Sequence, residues 1–111
     1  MSQQGIALLT LPCVATTAVT QHRGVTFGDA QVSVAGTACK GVARRGAASG
    51  AEFEVVSKGT WPWEAGGSFA VGTQLGVDAS GRVITWASGF VAGYALQAAG
   101  AAGDLPEVLL S

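Results

Sequence analysis

The chain is 111 residues long, the size of one domain, with six basic and seven acidic side chains and no block of either sign. A net charge of −1 excludes the basic stripe with which nucleic-acid-binding proteins displace counterions from phosphates; Lys40 with Arg44 and Arg45 comes nearest to one and reads as a solvated turn. Twenty alanines beside 17 glycines leave a third of the chain nearly without side chain; there is no three-residue glycine period, which excludes collagen and favours short strands joined by tight turns.

Residues 1–15 are uncharged and contain Pro12, and are expected to form an extended N-terminal arm, either disordered or ordered by adding a strand to another chain's sheet. The same stretch lacks the basic start of a signal peptide, and Thr10 and Pro12 interrupt its apolar run, so the chain reads as cytoplasmic in origin. Residues 16–111 are expected to form a single β domain. Thr16 to Phe27 is rich in β-branched residues and predicts a strand, Gly28-Asp29 a turn, and Gln31 to Val34 alternates as a half-buried strand does. Glu52 to Val56 predicts a strand with Phe53 and Val55 on one face and both acids on the other. In Thr60-Trp61-Pro62-Trp63 the two tryptophans point to one side if the segment is extended, and Pro62, lacking an N–H, predicts a place on an edge or outside the sheet. Asp78-Ala79-Ser80-Gly81 is the sharpest turn signal and joins Gln74 to Val77 with Arg82 to Trp86 in a hairpin whose Trp86 is expected in the core.

One unit is written twice. Residues 41–57 (GVARRGAASGAEFEVVS) and 93–111 (GYALQAAGAAGDLPEVLLS) each begin with Gly, an apolar residue and Ala. Each passes through a small-residue turn, reaches an acid (Glu52, Asp104) and closes in an apolar strand ending in Ser57 or Ser111, the second being two residues longer. At most a single helical turn is expected, near 95–102. The sum is an all-β fold, a small β-barrel or sandwich of about nine short strands.

The chain offers little chemistry. His22 is its one histidine, and no arrangement of serine, cysteine and acid around it is implied, so it reads as exposed or structurally bonded. Asp29, Asp78 and Asp104 stand beside glycines, where aspartate bonds the local backbone. Cys13 and Cys39 read as free, buried thiols, and no Cys/His cluster or phosphate-cradling glycine motif implies a metal or a cofactor. Four glycines in 83–103 make that uncharged stretch a poor membrane-spanning helix, so no membrane partner is expected. The candidate protein-interface residues are Ile6, Leu8, Leu9 and Leu11 on the arm together with Trp61 and Trp63, the tryptophans serving equally well as core anchors. Exposed together, those tryptophans would suit a carbohydrate- or host-surface-binding module.

An ordered set of short motifs resembles the small bacteriophage capsid decoration (cement) proteins of the DUF2190 type. It runs from Thr20-Gln21-His22-Arg23-Gly24-Val25 through Gly41-Val42-Ala43, Ala48-Ser49-Gly50-Ala51-Glu52 and Glu64-Ala65-Gly66-Gly67. It continues with Val77-Asp78-Ala79-Ser80-Gly81-Arg82-Val83 and Val91-Ala92-Gly93-Tyr94-Ala95-Leu96, then Ala102-Gly103-Asp104 and Glu107-Val108-Leu109-Leu110. Trp61-Pro62-Trp63 is bulkier, and Lys40 with Arg44-Arg45 more basic, than that pattern. The resemblance implies a non-enzymatic β protein on the outer surface of the virion. Its expected partners are the major capsid protein and further copies of itself, typically as a homotrimer, and it would stiffen the mature shell.

Overall fold

The computed structural model describes residues 5–110, in which all regular structure is extended and no helix occurs. The strands are β1 (Ile6–Val14), β2 (Gly24–Thr26), β3 (Cys39–Ala43), β4 (Glu52–Pro62), β5 (Gln74–Val77), β6 (Val83–Thr85), β7 (Gly93–Ala95) and β8 (Glu107–Leu110). They form one antiparallel sheet in the order β2-β3-β4-β8-β7-β5-β6, with β1 paired to β4 off that path. The sheet curls into a half-barrel, and the Gly24 N–H donates to the Gly81 carbonyl at 2.8 Å, tying one end of the path to the β5–β6 turn.

β4 is the spine. One of its edges pairs with β1 from Glu52 to Thr60, while the other is shared: Val55 and Val56 take β3, and Thr60 to Pro62 take β8. Pro62 stands opposite Glu107 at the last position of the strand, beyond the last β1 pair at Thr60, with its carbonyl turned to His22, so its missing N–H costs the ladder little. The expected N-terminal arm differs: residues 6–14 are extended but bonded to their own chain as β1, while residues 1–4 lie outside the described residues.

The remaining differences are local and have local causes. The strand predicted from Thr16 to Phe27 shrinks to Gly24–Thr26, because His22 takes a φ of 66° and turns the chain. Gln31 bridges Val25 singly instead of opening a strand, which helps bring the expected nine strands to eight among the described residues. The limit of at most one helical turn near 95–102 is kept, and none forms there, since the Ala99 N–H and carbonyl are both bonded sideways to Phe69 at 3.0 Å and are lost to any helix. The β5–β6 hairpin forms as expected, with the Asp78 carboxylate accepting the Ser80 and Arg82 N–H groups across the turn.

The duplication reaches much further than residues 41–57 and 93–111. Ala43 faces Val55 in β3–β4 as Ala95 faces Val108 in β7–β8, and Val42 faces Val56 as Tyr94 faces Leu109. This register makes Glu54 the counterpart of Glu107 and reduces the insertion to one residue; Ser111 lies outside the described residues. Working backwards, Val19 and Ala47 exchange both backbone bonds, as do Phe69 and Ala99. Ala15 bonds Gly50 and Ala51 as Ala65 bonds Gly103 and Asp104. The positive φ of His22 matches that of Gly72 (84°), and each donates its N–H to the alanine of the repeated Gly-X-Ala, Ala43 or Ala95. Even Thr10-Leu11-Pro12-Cys13, paired to β4, repeats as Thr60-Trp61-Pro62-Trp63, paired partly to β8. The chain is two tandem repeats, roughly residues 10–57 and 60–110.

Each repeat encloses a small core of its own. In the first, Cys13, Ala15, Val19, Val25, Ala43, Phe53 and Val55 cluster. Their counterparts in the second, among them Trp63, Ala65, Phe69, Leu75, Ala95 and Val108, belong to the larger cluster, which also takes in Val32, Cys39, Val42 and Val56 from the first repeat. The second repeat's core is thus completed by the first repeat's outer sheet face.

Candidate functional site

Residues directly opposite in an antiparallel pair put their side chains on the same face of the sheet. Following the register across the second repeat gives one continuous row: Gln74, Tyr94, Leu109, Thr60 and Ile6 on β5, β7, β8, β4 and β1. Its apolar members are open, with Tyr94 and Leu109 each 45% and Ile6 59% exposed. Leu96, one turn residue beyond β7, is exposed as well. The counterpart row in the first repeat is Gly24, Val42, Val56 and Thr10, and there Val42 and Val56 are fully buried. Three apolar side chains are thus aligned on an open sheet face, the kind of exposed patch that marks interaction surfaces.

A second feature lies where β3 and β8 diverge from the shared edge of β4. The gap is a cleft of about 470 Å³ between Lys40, Ser57 and Lys58 on one side and Phe90 and Leu110 on the other, with Trp63 in its wall. Ser57 Oγ donates to the Lys40 carbonyl at 2.9 Å, bridging the fork. Among the described residues the cleft lining holds neither a carboxylate nor an imidazole side chain. Lys40 is held by Asp29, which raises the lysine's pKa and lowers the aspartate's. Burial pushes the Cys39 thiol up to about 12, so it stays protonated and unreactive at neutral pH. The described lining suits an apolar or hydrogen-bonding contact.

Of the residues expected at an interface, Ile6, Leu8 and Leu9 are exposed on β1, whereas Leu11 packs against the first core. Trp63 is a core side chain, only 1% exposed, whose indole N–H donates to the Gly81 carbonyl at 2.8 Å. Trp61 is half-buried: the backbone of Gly5 lies against its ring, and the Arg44 guanidinium sits 5.8 Å from the ring centroid. The two do share a side, as expected, but they pack against the larger core rather than presenting a paired aromatic surface to a sugar. Trp86, expected in the core, is instead 37% exposed. His22 is structurally bonded, its Nδ1 donating to the Pro62 carbonyl at 3.0 Å, and burial lowers its pKa. Cys13 and Cys39 are free and buried in different clusters. Tyr94 and Leu109 were missed by sequence reasoning; the signal lay in the repeat itself, where they stand at the positions of Val42 and Val56.

Comparison with known proteins places the fold. No curated protein sequence matches the chain. Among solved structures, the N base of the head fiber gp8.5 in bacteriophage phi29 is similar, with a TM-score of 0.75 at 22% identity over 93% of both chains. The family model described as phage cement protein matches residues 2–111. With nearly its full length inside that match, and with the ordered motifs that first suggested the resemblance, this chain belongs to the phage cement protein family.

Proposed function

We propose that this protein decorates the outer surface of the mature phage head as a homotrimer, binding the major capsid protein lattice and stiffening it after synthesis in the host cytoplasm. The observation that carries the reading is family membership over residues 2–111. An open apolar sheet face on a small β scaffold is consistent with it, because contiguous exposed apolar side chains mark surfaces that bind other polypeptides. A cement protein that binds the expanded lattice better than the immature one stabilises the expanded state by mass action. Weak contacts repeated over a closed shell then add through multivalency.

The test is co-sedimentation of the purified protein with heads of its own phage, before and after expansion, together with the temperature at which the heads break open. Stoichiometric binding to expanded heads and a higher disruption temperature are expected. Heads that bind none of the protein, or that bind it and open at an unchanged temperature, would overturn the reading.

A further inference from the structure

One spot in the first repeat is built from different chemistry than its counterpart in the second. The turn over residues 26–30 repeats over 78–82: Thr26 Oγ1 accepts the Gly28 and Ala30 N–H groups as Asp78 Oδ1 accepts those of Ser80 and Arg82. The match puts Asp29, with a φ of 64°, at the place of Gly81, with a φ of 80°. In the same way Cys13 stands where Trp63 does, and Lys40 where Ala92 does. In the second repeat one bond closes the spot, from the Trp63 indole N–H to the Gly81 carbonyl. A thiol is too short to do this in the first repeat, where Lys40 Nζ and Asp29 Oδ1 instead meet in direct contact. Asp29 thus takes a left-handed backbone, where the second repeat uses glycine, and aims its carboxyl group at one amine.

The neighbours of that carboxyl group are the parts of an acyl-transfer site. Lys40 Nζ lies at Oδ1, and the Val14 N–H donates to Oδ2 at 3.4 Å, from the position of an oxyanion donor. The Cys13 thiol, 5% exposed, reaches both Lys40 and Asp29, and burial raises its pKa, so it stays a proton donor. We propose that Lys40 and Asp29 condense spontaneously to an isopeptide bond, a covalent staple between β3 and the turn that follows β2. The ion pair is the starting state. Lys40 passes one proton to Asp29 Oδ1, its neutral amine attacks Asp29 Cγ, and the charge that develops on Oδ2 is held by the Val14 N–H and the Cys13 thiol. The Cγ–Oδ1 bond then breaks, Oδ1 leaves as water with a second proton from Nζ, and a neutral amide remains; nothing is oxidised or reduced. The step is slow, because the neutral amine and acid are the minority forms of a pair that holds its charges. Fixed contact offsets this, since a held amine and acyl group meet at an effective concentration of roughly 10⁵ M or more. The staple is independent of head attachment.

The experiment is mass spectrometry of the full chain, intact and after denaturation and tryptic digestion, for the wild type, Lys40→Arg and Asp29→Gly. After storage at neutral pH the wild type should be one water lighter than its sequence requires. The loss should map to residues 24–44, recovered as a single peptide that trypsin cannot cut after Lys40. Lys40→Arg keeps the charge without the nucleophilic amine, and Asp29→Gly copies the second repeat; both should have full mass and be cut after residue 40. A stored wild type of full mass overturns the proposal. So does a lost water with normal cleavage after Lys40, which marks a succinimide at Asp29, and so does a lost water that persists in Lys40→Arg. Should either variant fail to fold, the wild-type peptide map decides by itself.

Discussion

Val42 and Val56 in the first repeat and Tyr94 and Leu109 in the second hold the same places in the same kind of hairpin, yet one pair is sealed in the core and the other stands half in solvent. The backbones agree down to the glycine that opens each Gly-X-Ala: a methyl group at Gly41 would lie 2.4 Å from the Val56 carbonyl oxygen, and one at Gly93 would lie 2.1 Å from that of Leu109. The inner faces differ in the opposite sense. Cys13 fills the position in the first repeat that Trp63 fills in the second, because the second core also has to reach the first repeat's outer row. Duplication gave two copies of a hairpin-rich unit, and packing one against the other gave them unequal duties: the first repeat is covered on both faces, the second presents a face.

The sharpest way to break this comparison is to place one charge at both equivalent positions. Val56→Lys should prevent folding, since an unpaired buried ammonium costs several kcal/mol, about the whole stability of a small domain. Leu109→Lys should leave the thermal unfolding of the monomer within roughly 0.5 kcal/mol of wild type. Equal effects in a denaturation series would mean that the two rows are not differently covered.

Truncating the inner pair comes next. Trp63→Ala removes the largest fully buried side chain and its bond to Gly81, for an expected loss of about 3–5 kcal/mol. Cys13→Ala, at the matched place, removes only a thiol and should cost about 1 kcal/mol. Urea unfolding midpoints measure both. The glycine pair sharpens the comparison from the other side. Gly41→Ala and Gly93→Ala meet the same kind of backbone oxygen, so both should destabilise, by roughly 2–3 kcal/mol each, despite the different burial of their neighbours. A harmless substitution at either would show that its hairpin can relax away from the register described.

A smaller effect is expected where the repeats touch through Arg44. Arg44→Ala should cost about 0.5–1 kcal/mol through loss of the contact with Trp61, and Leu96→Ala, its counterpart on the open face, should not destabilise the monomer. The smallest effect is a pH dependence belonging to one repeat. Burial holds the pKa of His22 below 6.5, so its neutral form favours the folded state. The associated stability is complete above the unfolded pKa and is lost as pH falls through the folded one. Melting temperatures measured from about pH 7 down to about pH 5 should therefore decline less for His22→Asn, a residue that tolerates the positive φ, than for wild type. Identical declines would remove His22 from the acid response.

Much of the scaffold was legible from residue order. Asp78 to Gly81 announced its hairpin because an aspartate and a glycine in a tight turn bond the local backbone in one way. Phe53 and Val55 declared an inner face through strict alternation, and the repeated Gly-X-Ala declared two hairpins. The short motifs in order carried the family. Other positions read wrongly for a shared reason: Trp86 looked like core and residues 6–14 like a free arm, and each depends on which strand lies alongside.

What residue order determined here is local: strand periodicity, turn chemistry and the presence of two copies all arise from interactions within a few residues. Which copy covers the other is a long-range matter. It is settled by where β3 and β8 divide the edge of β4 and by a tryptophan large enough to span from one core to the neighbouring face. Identical hairpin positions therefore became core in one half and surface in the other, because burial belongs to the assembled sheet and not to the segment.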